Sequence, residues 1–390
     1  MHKRHHLIFT CLLLLFFGLF LFTPPALGAE ETQEPIDRDF THYLNLGVSL
    51  LDQENYLDSI TAFQKALEIS SDSAEVHLVM GMAYDGLGQY EKAIFHLKKA
   101  GQLSPQLSDA HVNLGLVYLK MDNVDEAIKT YYDALMIDPV NEKAYFGLGV
   151  AYQRMGRYEE AIDAYSEAIM ISPAFSDAYN NLGIALSHVG LYEEAITSYL
   201  IAIKIRPDLS EAAYNNLGIT YQSVGQDDKA VEAYTNAILL DPEYTKAYCN
   251  LGHVRQQKGN YDEAMWAYQE ALKIDPAFAD AHYGLGNAYG STGEYEKAAD
   301  SYLLAIRHNP KDARTYFNLG WSYGKLGQLD KELDAYNQAI SLKQDYAKAY
   351  LGRGLVYLKN GHKDMARQEY DVLKNLDAKM ASSLYELLNQ

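Results

Sequence analysis

The chain has 390 residues, 48% of them hydrophobic and 22% charged, with a formal net charge of −19. That much apolar material excludes general disorder, and the acid excess excludes a protein that coats nucleic acid, which needs a net basic face for the phosphates. Two cysteines, Cys11 and Cys249, exclude both a disulfide framework and a zinc cluster.

The first element is an address. Lys3 and Arg4 make a basic start, and Leu7 to Phe22 runs 16 residues without a charge. Thr23-Pro24-Pro25 ends any helix, and Ala26-Leu27-Gly28-Ala29 sets small residues at the spacing that signal peptidase reads. The run is shorter than the ~20 residues a spanning helix needs, so residues 1–29 are predicted to be a cleaved secretory signal, with an uncleaved membrane anchor as the alternative. Both place the rest of the chain outside the cytoplasm, in the periplasm or secreted, because Lys3 and Arg4 stay inside. Membrane association is expected only through that segment. Residues 30–39 read as a polar lead-in.

The remainder is one unit copied ten times. Glycines 47, 81, 115, 149, 183, 218, 252, 286, 320 and 354 are spaced by 34 residues, with one step of 35 between Gly183 and Gly218. Other positions move with them. Tyr or His lies four before (His77, Tyr145, Tyr179, Tyr214), and Tyr is common three after (Tyr84, Tyr118, Tyr152). Ala lies twelve after (Ala93, Ala127, Ala161), an aromatic sixteen after (Tyr131, Tyr165, Tyr234), and Pro twenty-four after from Pro105 through Pro310. These spacings put aromatic and small residues on one stripe of each of two helices. A second glycine seven after the first (Gly88, Gly156, Gly190, Gly225, Gly259, Gly293) turns the pair into a hairpin, and the proline stops the second helix. Of the 33 tyrosines, 28 fall on four recurring positions, which makes them packing residues rather than a box for sugars or bases.

This pattern, from about Phe40 to Met380, resembles the tetratricopeptide repeat. The resemblance implies an all-α fold: a right-handed superhelical solenoid of about ten stacked helix-turn-helix units. Residues 381–390 are expected to finish a short amphipathic capping helix that begins near Met380. Departures are expected to matter locally. The extra residue near Ser210–Ala213 predicts a change of stacking angle, and the ninth copy has Glu332 for Ala and Gln344 for Pro.

Motifs for chemistry fail on context. Gly320-Trp321-Ser322-Tyr323-Gly324 matches the hydrolase elbow, but falls within a first helix rather than on a strand–turn–helix. No phosphate loop, zinc-protease or calcium motif is present, and His77, His111 and His282 take an aromatic packing position. No enzyme activity, cofactor or metal is predicted. Glu159-Glu160 and Glu193-Glu194 open second helices, where they suit the helix dipole. Cys249 reads as an apolar filler, Lys246 being the one cation near enough to activate it.

The resemblance also implies that first helices line a groove, with the residues six, three and two before the glycine and one, four and five after it facing inward. Two before is Asn in Asn45, Asn113, Asn181, Asn216, Asn250 and Asn318, similar to the asparagine ladder of O-linked N-acetylglucosamine transferase repeats, which grips a peptide backbone. Val79, Gly147, Gly284 and Gly352 interrupt it. The inner cations are Lys120, Lys143, Arg154, Lys246, Arg314, Lys325, Lys348 and Lys359, against Asp52, Glu75, Asp85, Asp109, Asp177 and Asp280. The excess of cations lies in repeats six to ten, so that part of the groove favours an acidic segment. Tyr283, Phe317 and Trp321 form a candidate aromatic anchor. The expected activity is therefore binding of a partner polypeptide, extended or helical, in an envelope or secretory assembly. The alternative is a glycan-binding or polysaccharide-export accessory role. The lysine and asparagine pattern of chaperone-tail-binding relatives is absent, and nothing in the sequence fixes an oligomeric state.

Overall fold

The computed structural model describes residues 35–389, so the expected signal segment and the first part of the lead-in lie outside the described residues. Twenty-one α-helices follow one another, with no strand among the described residues. They divide into two compact units at Val189/Gly190. In the N-terminal unit the first helices of the repeats are α1 (Pro35–Asp52), α3 (Ala74–Gly86), α5 (Ser108–Lys120), α7 (Glu142–Arg154) and α9 (Ser176–His188). The second helices are α2 (Tyr56–Ile69), α4 (Tyr90–Leu103), α6 (Val124–Ile137) and α8 (Tyr158–Ile171). The C-terminal unit opens with α10 (Tyr192–Ile205), the second helix of repeat five. Its first helices are α11 (Glu211–Ser223), α13 (Thr245–Gln257), α15 (Ala279–Thr292), α17 (Ala313–Lys325) and α19 (Ala347–Lys359). The second helices are α12 (Asp227–Leu240), α14 (Tyr261–Ile274), α16 (Tyr295–His308), α18 (Leu329–Leu342) and α20 (Lys363–Leu376), and α21 (Ala378–Leu388) closes the series.

The hairpin turn has one cause throughout. Gly88, Gly156, Gly190, Gly225, Gly259, Gly293, Gly327 and Gly361 all have φ between 70 and 86°, the left-handed region. Repeats one and three make the same turn with Glu54 (φ 59°) and Asp122 (φ 62°), which the glycine spacing does not reveal.

Second helices stop where the sequence puts proline, after an extended residue such as Ser104, Asp138 or Asp275. Helix α18 stops at the same point with Gln344 in place of proline, so the following hairpin also enforces the stop. The extra residue before Gly218 is absorbed as a 3-10 turn, Pro207–Leu209, and Ser210, 3% exposed, caps it by bonding the Arg206 carbonyl. Helix α1 begins at Pro35, five residues ahead of the repeat start read from the pattern; proline suits a first helical turn.

The residue sixteen after each glycine is the wedge, tyrosine in eight repeats and Phe63 and Leu97 in the first two. Tyr268 is 2% exposed, and a Cβ on Gly252 or Gly284 would lie only 2.7 or 2.4 Å from its ring. Tyr131 sits in the same way between Gly115 and Gly147, and Tyr336 between Gly320 and Gly352. One ring thus locks its own first helix to that of the next repeat, and for these three rings a Cβ fits on neither side.

Within each unit every first helix packs against the first helix of the next repeat, and the second helices have no comparable contact with one another. The first-helix face is therefore the tighter, inner side of each unit. The end helix α21 packs on both α20 and α19, the place of one more first helix, with Leu384 fully buried against Gly354.

Candidate ligand-binding wall

Asn45 of the ladder is exposed; the other five asparagines are half-buried, and two of them, Asn250 and Asn318, bond the preceding first helix. Asn250 Nδ2 donates to Asn215 Oδ1 at 2.9 Å, and Asn318 Nδ2 donates to Asn287 Oδ1 at 2.9 Å and to the Tyr283 hydroxyl at 3.2 Å. Asn181 bonds the Tyr165 hydroxyl of the preceding hairpin and accepts from Asn180. Asn113 donates to the Asp109 carbonyl of its own helix, and Asn216 is half-buried and already engaged. Three of the four breaks in the ladder share one origin. Gly147, Gly284 and Gly352 occur where Tyr131, Tyr268 and Tyr336 press onto that position, so asparagine and glycine are alternative answers to one ring.

The wedge tyrosines extend this amide network. Their hydroxyls donate to Gln153 from Tyr165, to Gln222 from Tyr234, to Gln256 from Tyr268, and to Asn287 from Tyr302. Burial raises the pKa of each of these phenols, so they act as neutral donors. Asn287, Gln222 and Gln256 escape the sequence reading, their signal being a tyrosine sixteen after the glycine paired with an amide one or four after it; Asn215, three before Gly218, escapes it without such a signal.

The expected aromatic anchor divides into three. Tyr283 on α15 carries the Arg314 guanidinium of α17, 5.4 Å from its ring centroid. Trp321, 39% exposed, lies over Gly290, meets Tyr295 edge-on at 5.5 Å, and has the Lys325 ammonium 5.2 Å above its ring. Phe317 joins neither. It packs on Tyr336 and Tyr346 at 5.7 and 5.4 Å, filling the step toward the tenth repeat.

The cations are placed unequally. Arg314 and Lys246 are exposed, and Arg314 pairs with Asp312 at 3.0 Å. Burial alone would raise the Asp312 carboxyl, but hydrogen bonds from Arg314 and Thr315 outweigh it and hold the carboxyl below its ordinary value. In the N-terminal unit Lys120 pairs with Asp85 at 2.7 Å, and Arg154 donates to the Leu119 carbonyl one repeat earlier. Cys249 is enclosed, and burial pushes its thiol up to about 12, which suits a filler rather than a nucleophile.

The serine of the elbow-like motif is fully buried within α17 and donates to the Asn318 carbonyl at 3.0 Å. Glu332 sits under Gly324, where a Cβ would lie 2.5 Å from its carboxylate, and burial raises its pKa. Among the described residues no group of three or more His, Cys, Asp or Glu could hold a metal, and no helix is long and apolar enough to cross a membrane.

Models of the tetratricopeptide repeat match residues 38–106, 86–151, 142–175 and 175–242, and a TPR repeat model matches 255–293, 286–327 and 322–361. The chain belongs to the tetratricopeptide-repeat (TPR) family. TPR proteins are generally scaffolds for protein–protein interaction and typically non-catalytic. A solved TPR protein from Parabacteroides merdae is 19% identical, with a TM-score of 0.50 over 64% of this chain and 99% of its own, a likeness of fold. MamA is 28% identical over 43% of this chain and 97% of its own, with a TM-score of 0.39. YrrB, described as a TPR protein with an unusual peptide-binding site, is 23% identical over 48% and 95%, with a TM-score of 0.40. A comparison with curated proteins gave no match.

Proposed function

We propose that this TPR protein is a non-catalytic scaffold that holds an acidic polypeptide segment, extended or helical, on the first-helix wall of its C-terminal unit. The observation behind this reading is the pair of cation-capped rings on α15 and α17: Arg314 over Tyr283, and Lys325 over the part-exposed Trp321. Tryptophan, tyrosine and arginine in partly desolvated settings are the usual centres of binding energy, and Lys325 selects negative charge, Arg314 being paired with Asp312. Asn318 and Asn250 border this surface, and whatever amide capacity is not spent on Asn287, Tyr283 and Asn215 is what they offer a peptide backbone. We further place the scaffold outside the cytoplasm, in an envelope or secretory assembly, on the strength of residues 1–29.

The test is anisotropy of fluorescein-labelled Asp/Glu-rich peptides against a Lys-rich control. The acidic peptides should bind, more weakly at high salt, and Trp321→Ala should cost about 2 kcal/mol of affinity, roughly thirty-fold. Equal binding of both peptides would remove the preference for acid, and retention on a polysaccharide column without peptide binding would replace this reading with the glycan one.

A further inference from the structure

A second surface lies on the other side of the N-terminal unit, among the second helices. In eight repeats the residue twenty after the first-helix glycine is Leu or Ile: Leu67, Leu135, Ile169, Ile203, Ile238, Leu272, Ile306 and Ile340. Repeat two has Gly101 there. The side chain facing it is His111 of repeat three, at a position where seven repeats carry tyrosine. The two partners of one contact are thus both reduced at the same place. A cavity of about 410 Å³ opens there, between α4, α5 and α6.

The floor of the cavity is apolar, with Leu97 and Leu114 1% and 8% exposed. The rim carries both signs, Lys98 and Lys129 with Glu126 and Asp133, so it prefers neither an anion nor a cation. On the wall, His111 Nδ1 is buried without a hydrogen-bond partner, an expensive state for a polar atom. Once the ring turns toward the cavity, a peptide N–H can donate to that nitrogen, and in the other tautomer a peptide carbonyl can accept from it.

We propose that this slot is a docking site for a leucine or isoleucine side chain of a partner polypeptide. The inserted side chain takes the place that the repeat fills for itself eight times elsewhere, and the adjoining peptide group satisfies His111. The site is independent of the wall of the C-terminal unit.

The test follows histidine-ring NMR of the full chain, with the His111 signal assigned by its loss in His111→Gln. N-acetyl-L-leucinamide should shift that signal saturably, and N-acetylglycinamide, which has no side chain to insert, should not. Gly101→Leu restores the residue of the other repeats; a Cβ there meets His111 Cε1 at 3.3 Å, and the ring has the open cavity beside it to yield into. This variant should lose the response of the histidine signal while its thermal midpoint stays the same or rises. His111→Tyr closes the slot from the opposite wall, and its leucinamide affinity, read by equilibrium dialysis, should fall at least tenfold. An equal response to both probes, no response in the wild type, or leucinamide binding that survives both filled variants would overturn the proposal.

Discussion

The first-helix walls of the two units use equivalent positions for different ends. In the N-terminal unit a cation reaches back one repeat to a fixed partner: Lys120 to Asp85, and Arg154 to the Leu119 carbonyl. Lys143 and Asp109 attract each other in the same sense, although burial comes first and lowers the lysine pKa while raising that of the acid. In the C-terminal unit the step between repeats is bridged by amides, Asn250 to Asn215 and Asn318 to Asn287, and Arg314 rests on a ring. A charge that closes a gap between helices is consumed by the fold. A neutral amide can close the gap equally well and leave the nearby cations at the surface.

The largest expected effect separates these two uses directly. Lys120→Ala strands the Asp85 carboxylate, whose side chain is 14% exposed and whose Oδ1 is buried without a partner. It should cost about 2 kcal/mol in urea unfolding, less than a fully buried pair because the rim is partly wet. Lys246→Ala, on the exposed C-terminal wall, should stay within about 0.5 kcal/mol. Equal costs would break the distinction.

A smaller effect concerns pH and again belongs to the N-terminal unit. His77 Nδ1 lies 2.9 Å from His96 Nδ1, and Tyr84 stacks on His96 at 5.3 Å. Burial, then the charge of His77, lowers the His96 pKa to about 4; burial, with Lys99 nearby opposing Asp72, lowers that of His77. The unfolded chain therefore binds protons first, near pH 6.5, and stability should fall as pH drops from there toward 4. Because the His96 ring is only about half buried, the loss should be about 1 kcal/mol, well below the full shift. Thermal midpoints of wild type and His96→Ala should converge as the pH falls; parallel curves would remove the pair as the cause.

The smallest effect is reciprocal. Asp122→Gly should stabilise the N-terminal unit by about 0.5 kcal/mol, since aspartate there holds a left-handed conformation that glycine adopts freely, less the extra entropy glycine loses on folding. Gly259→Asp should destabilise the C-terminal unit by a similar amount. Amide exchange localised to each hairpin distinguishes the two.

Much of the fold was legible because steric necessity repeats. Only glycine survives beside the Tyr268 ring, and only a special turn residue fits seven positions later, so both recur at a fixed interval. The turns at Glu54 and Asp122 escaped notice because there the backbone conformation is imposed by the packing of the hairpin rather than announced by glycine. The wall was less legible for a related reason. Helix phase puts Arg314, Asn318 and Trp321 along one helix, but does not say that Trp321 goes to Tyr295 while the other two go to Tyr283, or whether Asn250 meets solvent or Asn215. Nor does it say that Phe317 is taken up by Tyr346. Gly101 was invisible as a departure because glycine is common throughout this chain, and only its position in the repeat makes it unusual.

The end helix has a practical meaning for anyone reshaping this array. Because Leu384 of α21 already occupies the hole beside Gly354, an added hairpin fused after Leu388 would find no complementary surface. Lengthening by design must instead splice new units upstream of Asp377, where the side chain that starts α21 would still hold the Met380 amide and the terminal lid would travel outward intact.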